Sequence, residues 1–124
     1  MEKLAFIKEQ MDSISVPYQF GAWTSKVDFP YIVGEITEEP ATTEDGLEES
    51  TLILTMFHRG KQRGDMEELK AKIKKHFDPI FGLRAAVDGC AIAVFFDGSY
   101  YVPTGEANLE KMQINLKIKE WKGV

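Results

Sequence analysis

Between Met112 and Lys119 the chain alternates without a break: Met112, Ile114, Leu116 and Ile118 are apolar, and Gln113, Asn115, Lys117 and Lys119 are polar. Successive residues of a strand point to opposite sides, so this segment is an antiparallel strand with one apolar face to bury. That excludes an all-helical fold and calls for something to cover the face. Two segments have the period to do so. Leu4, Ile7, Met11 and Ile14 form one apolar stripe, with Lys3, Lys8, Glu9, Gln10 and Asp12 between them and Pro17 beyond, a short amphipathic helix. Met66, Leu69, Ile73 and Phe77 form a second stripe, with Lys70, Lys72, Lys74 and Lys75 away from it or near its end. Asp65, three residues ahead of Glu68, reads as its N-cap, and Asp78-Pro79 stops it.

The other strands follow from composition. Val16–Trp23 and Pro30–Thr37 each open near a proline and are rich in aromatic and β-branched residues. Thr51–Arg59 is apolar on both sides, which predicts a central strand or one covered by a partner. Asp88-Gly89 and Asp97-Gly98 read as tight turns bracketing Cys90–Phe96, a run that fits a strand buried on both faces. From Glu38 to Ser50 the apolar period disappears, which predicts a long acidic loop. The order α-β-β-β-α-β-β(-β) implies an α+β fold, a mostly antiparallel sheet with two helices packed on it. A chain of 124 residues with no repeat and no interdomain linker is expected to be one domain, spanning 1–124.

Few catalytic or binding chemistries fit these residues. A single cysteine, Cys90, precludes an internal disulfide and a zinc cluster. His58 and His76 lack metal-ligand spacing, and the acidic stretch lacks the order of a calcium loop. Pairing of Cys90 with His76 would make a nucleophile, but an apolar strand keeps a thiol neutral and inert. Gly60-Lys61 lacks the remaining residues of a phosphate loop. No enzyme, cofactor or metal is expected. A net charge of −5 and a pI near 5.1 argue against dedicated nucleic-acid binding. The longest apolar run, Cys90–Phe96, is too short to span a bilayer, and the first residues lack a signal-peptide pattern.

Charge is segregated along the chain. Asp28, Glu35, Glu38, Glu39, Glu44, Asp45, Glu48 and Glu49 precede His58 with no lysine or arginine among them. Arg59, Lys61, Arg63, Lys70, Lys72, Lys74 and Lys75 follow, among only Asp65, Glu67 and Glu68. One reading is a solvated loop beside a solvated helix face. The other is a subunit with complementary patches suited to heterologous contacts, which close into a ring where the rotation permits. Tyr18, Phe20, Trp23, Tyr31, Tyr100, Tyr101 and Trp121 are candidate interface anchors or core residues.

Several stretches together resemble a known family: the N-terminal helix, Pro17-Tyr18-Gln19-Phe20-Gly21, Pro30-Tyr31-Ile32-Val33-Gly34-Glu35, the acidic segment with Glu44-Asp45-Gly46, the strand Thr51–Arg59 running into Gly60, the lysine-rich helix and Lys119-Glu120-Trp121. Over nearly its whole length the chain looks like the tail terminator, or tail-completion and head–tail joining, proteins of long-tailed phages and prophages of Gram-positive bacteria. The resemblance implies a hexameric ring of small α+β subunits that caps the tail tube, ends its polymerisation and joins the head connector. It implies three partners: other copies of the chain, the major tail-tube protein and a head connector or stopper. It implies no enzymatic activity, cofactor, sequence-specific nucleic acid or membrane. The expected location is the host cytoplasm during assembly, then the head-proximal end of the virion tail. For ring contacts the expectation pairs Glu38, Glu39, Glu44, Asp45, Glu48 and Glu49 with Arg59, Lys61, Arg63, Lys70 and Lys74 of the next subunit. A rival placement turns the acidic loop into the lumen, where it would keep passing DNA from sticking. The alternatives are another neck component, and more distantly a small ligand-binding domain or an unrecognised enzyme.

Overall fold

The computed structural model describes residues 2–21, 30–39, 47–59, 63–87 and 89–121. The elements run α1 (Glu2–Ser13), β1 (Tyr18–Phe20), β2 (Tyr31–Glu39), β3 (Leu47–Arg59), α2 (Arg63–His76), β4 (Leu83–Val87), β5 (Cys90–Val102) and β6 (Leu109–Trp121). This is the expected α+β order. The six strands form one sheet in the order β1-β2-β3-β6-β5-β4. β1 runs parallel to β2, and the other neighbours are antiparallel.

The period-two segment became β6, and its place in the sheet explains its sequence. It lies between β3 and β5, and Met112, Ile114, Leu116 and Ile118 are all buried. Register aligns them with Met56, Leu54, Leu52 and Ser50 of β3, also buried, so one face of the sheet is continuous core. Ile92, Val94 and Phe96 of β5 extend that face. Both helices cover it: Ile7 and Met11 from α1, and Met66, Leu69 and Ile73 from α2 with Phe77 just beyond its end, belong to the same cluster. The stripe from Met66 to Phe77 is buried throughout; of the first stripe Ile7 and Met11 are buried, and Leu4 and Ile14 are half-buried. Burying a large aliphatic side chain contributes about 1.5–3 kcal/mol, so this single cluster is the main stabilising element.

The sheet is curled. Six strands laid flat would separate β1 and β4 by roughly 24 Å, and a twelve-residue helix is about 18 Å long. Yet α1 packs against both β1 and β4.

The structure corrects three expectations. The acidic loop is much shorter than Glu38–Ser50, because β2 continues to Glu39 and β3 starts at Leu47, pairing Glu38 with Ser50 and Glu39 with Glu49. Only 40–46 lie between the strands, and these fall outside the described residues. The Asp97-Gly98 signal marks no chain reversal: β5 runs through it, with a register shift between Phe96 and Ser99 and Gly98 at φ +113°. A glycine with positive φ serves a bulge as well as a turn. Asp65 lies inside the first turn of α2, which begins at Arg63, and its carboxylate meets His58 instead of a backbone N–H. Of the Asp88-Gly89 signal, Asp88 falls outside the described residues, and Gly89, at φ +79°, immediately precedes β5.

Tyr18 fills the core near the β1 edge. It is 1 % exposed, and its hydroxyl has no hydrogen-bond partner among the described residues. Burial pushes its pKa from 10.0 up to about 12. A buried hydroxyl without a partner costs about 1–3 kcal/mol, so Tyr18→Phe is expected to leave stability at pH 7 unchanged or raise it by about 1 kcal/mol. Above pH 10.0 the unfolded chain loses this proton before the folded one does, so the wild type loses stability towards pH 12. Urea titrations at pH 7 and in this alkaline window should show a smaller loss in the variant.

Candidate functional site

Because the helices share one face of the sheet, the other carries no helix. Strand alternation places Tyr31 and Val33 of β2, Ile53, Thr55 and Phe57 of β3, Lys111, Gln113, Asn115, Lys117 and Lys119 of β6, and Phe95 and Tyr100 of β5 on it. Its apolar members are half-buried, except Tyr100, which is 52 % exposed. Tyr31 stacks on Phe57 with ring centroids 5.2 Å apart. Lys111 lies 5.7 Å from the Phe57 ring and Lys119 5.7 Å from that of Phe95. The Tyr100 hydroxyl donates to Gln113 Oε1. The result is a broad aromatic and lysine surface. The lysines run along the central strand β6 and the aromatics flank them on β2, β3 and β5; aromatic residues are enriched at protein-binding surfaces, whereas lysine is depleted there.

Alternation also divides the acidic residues between the two faces. Glu49 falls on the helix-free face, 3.5 Å from Lys117 Nζ and 3.9 Å from Lys119 Nζ. Glu38 and Glu120 fall on the helix-covered face, where Lys3 of α1 bridges them at 3.0 and 3.1 Å. Glu48 stands opposite Glu120 in the register. Of the expected basic partners, Arg63 binds Glu110 at 3.2 Å and lies over the Tyr101 ring at 4.2 Å. Lys70 pairs with Glu67 at 2.6 Å, and Lys74 lies 5.8 Å from the Phe96 ring. Arg59 ends β3, roughly 35 Å from Glu48 at the strand's rise. Glu44, Asp45, Lys61 and Trp23 fall outside the described residues, and Glu39 closes β2. Glu38, Glu49, Arg63 and Lys70 thus have ion-pair partners within one subunit, and acidic and basic groups occupy opposite ends of β3.

Lys3 is the clasp between α1 and the sheet. Burial draws its pKa down, but the hydrogen bonds it donates to Glu38 and Glu120 raise it and prevail, so the ammonium stays charged. Its side chain is 10 % exposed and that of Glu120 15 %, whereas Glu38 is 56 % exposed and screened by water. Lys3→Met is expected to cost about 1–2 kcal/mol, chiefly by leaving Glu120 without its cation. Thermal unfolding at pH 7 should show it as a lowered Tm.

The histidines have structural roles. His58 Nδ1 accepts from the Arg59 N–H at 2.9 Å, so Nε2 carries the proton and donates to Asp65 at 2.9 Å. This ties the end of β3 to the start of α2. His76 Nε2 donates to Gln10 Oε1 at 2.7 Å, joining the two helices. Cys90 opens β5 and shares no hydrogen bond with His76. Among the described residues no group of three or more His, Cys, Asp or Glu is placed to hold a metal ion, and no helix is long and apolar enough to cross a membrane.

Of the other candidate anchors, Phe20 is 42 % exposed, while Tyr31, Tyr101 and Trp121 are half-buried. Tyr101 donates to Glu67 at 2.8 Å, and its pKa is pushed up to about 12 by burial and by that carboxylate. Sequence reasoning missed the most exposed apolar pair, Ile80 at 75 % and Phe81 at 71 %. The signal was present: two large apolar residues held between Asp78-Pro79 and Gly82 cannot all turn inward from so short a turn.

No protein-family model matches the chain, and no curated protein matches it.

Proposed function

We propose that this chain is a structural component of a phage tail, a terminator that caps the tail tube, ends its polymerisation and offers the surface that joins the head connector. The observation that carries the reading is the helix-free face: a broad sheet surface of aromatics and lysines suits a large, flat protein partner better than a small molecule. The family resemblance of the sequence supplies the identity of that partner, the last ring of the tail tube. The polarity of β3, acidic at one end and basic at the other, supports head-to-tail contacts between copies, the class that closes into a ring. Intramolecular partners for Glu38, Glu49, Arg63 and Lys70 make these charges guides to register more than sources of affinity.

Deletion of the gene from its prophage, with tail lengths measured by negative-stain electron microscopy of induced lysates, tests the reading. The expected result is overlong tails of variable length, detached from heads. Tails of normal length that fail to join heads would replace the terminator with a neck component, and normal infectious particles would refute both.

A further inference from the structure

The aspartates among the described residues are Asp12, Asp65, Asp78 and Asp97, and they differ in how their carboxylates are held. Asp12 binds Lys8 at 2.9 Å, and Asp65 binds His58 at 2.9 Å. Asp78 accepts from the N–H groups of Ile80 at 2.8 Å and Phe81 at 2.9 Å. Asp97 is exposed, and its carboxylate has no hydrogen bond or ion pair among the described residues.

The main chain beside Asp97 is open as well. The ladder to β6 pairs Phe96 with Leu116 and Ser99 with Ile114, so Asp97 and Gly98 together face the single residue Asn115. Such a bulge disrupts the ladder locally. β4 pairs with β5 only from Cys90 to Val94, so among the described residues no strand lies on the outer side of the bulge. Gly98 has no side chain to shield its nitrogen, and even an added Cβ would meet nothing within 4 Å. The other three aspartates are followed by Ser13, Met66 and Pro79, and proline has no N–H.

We propose that Asp97 is a site of spontaneous isomerisation to isoaspartate, and that the product unpairs the end of β5. The Gly98 nitrogen attacks Cγ of the Asp97 carboxyl group and forms a C–N bond. The carboxyl OH leaves, taking the amide proton with it as water, and a five-membered succinimide remains. Water then adds to one of the two ring carbonyls. Addition at Cγ restores aspartate, and addition at the main-chain carbonyl opens the ring to isoaspartate. One water leaves and one returns, nothing is oxidised or reduced, and no enzyme is required. Closing the ring needs the main chain to turn at Asp97, which a continuous ladder resists and a bulge resists least. In isoaspartate the main chain runs through Cβ and Cγ and is one atom longer. Beyond it Ser99–Val102 pair with Ile114–Lys111, and Tyr101 donates to Glu67 at 2.8 Å. The lengthened chain cannot keep the Phe96 pairing and these contacts together. The inference is independent of what the protein assembles with.

The test needs only purified, folded protein aged at pH 7 and 37 °C. Peptide mapping by electron-based fragmentation cleaves the Cα–Cβ bond of isoaspartate and so locates it. Isoaspartate should accumulate at position 97 and stay absent at 12, 65 and 78. Asp97→Glu keeps the charge but would have to close a six-membered ring, which forms far more slowly. The aged wild type should therefore show a lowered Tm, and the aged variant should lose less. Asp97 that stays unmodified while the urea-unfolded chain converts there overturns the proposal, as does equally fast conversion at Asp12, Asp65 or Asp78. An aged wild type that loses no more Tm than Asp97→Glu overturns the unpairing.

Discussion

Phe77→Ala is expected to cost about 3–5 kcal/mol, the range for removing a large aromatic from a closed core. Phe77 is fully buried and ends the α2 stripe just past the helix. Its backbone is held at both ends, with its N–H donating to the Ile73 carbonyl at 2.8 Å and its carbonyl accepting from Phe96 N at 3.0 Å. The main chain therefore cannot collapse into the vacated space, which puts the cost towards the upper part of the range. Against a typical domain stability of about 5–15 kcal/mol, this brings the chain close to unfolding. Urea denaturation should show a midpoint lowered by roughly 2 M with an unchanged slope. A loss below about 1 kcal/mol would mean that the ring is not packed as described.

Gly34→Ala should be nearly as damaging, for the opposite reason. A Cβ there would lie 2.7 Å from both Cε1 and Oη of Tyr18, inside any tolerable contact. The ring has nowhere to go, since Tyr18 is buried and its strand is registered against β2 with Tyr18 opposite Ile32. Overpacking of this kind costs about 1–3 kcal/mol, and the absence of slack argues for about 3. Truncating the ring isolates the cause. Tyr18→Val should cost several kcal/mol in the wild type but markedly less beside Gly34→Ala, because it removes the clash it would otherwise face. A double-mutant cycle reads this as coupling of about 1–3 kcal/mol, and additive losses would place the ring elsewhere.

The sequence reveals the fold wherever a buried face is written in apolar residues. Met112 to Ile118 and the stripe from Met66 to Phe77 announce their period, and both lie in the core; Leu52 to Met56 is apolar throughout, so its sequence marks a covered strand without saying which side faces the helices. The start of β3 was hidden because Glu48 and Ser50 occupy its helix-facing positions, so alternation persists there in geometry but not in hydropathy. Asp97-Gly98 misleads because a local signal cannot tell a turn from a bulge; that depends on whether a partner strand continues alongside, and β6 does. The candidate site divides in the same way. The charges can be counted in the sequence, but the groups that neutralise them, Lys3 for Glu38, Lys117 and Lys119 for Glu49, and Glu110 for Arg63, are distant along the chain and meet them only through the sheet. The helix-free face could not be read either, because it depends on both helices choosing the same side.

The central position of β6 also governs how the chain can be made. It is the last strand in chain order, yet it separates β3 from β5. A ribosome therefore releases β1–β3 and β4–β5 as two half-sheets, each with a long open edge, before the strand that joins them exists. Pairings so distant in sequence form slowly, and open edges are sticky meanwhile. Synthesis and folding should thus be separate events for this protein, and the interval between Val102 and the completion of β6 is when a nascent chain most needs a chaperone.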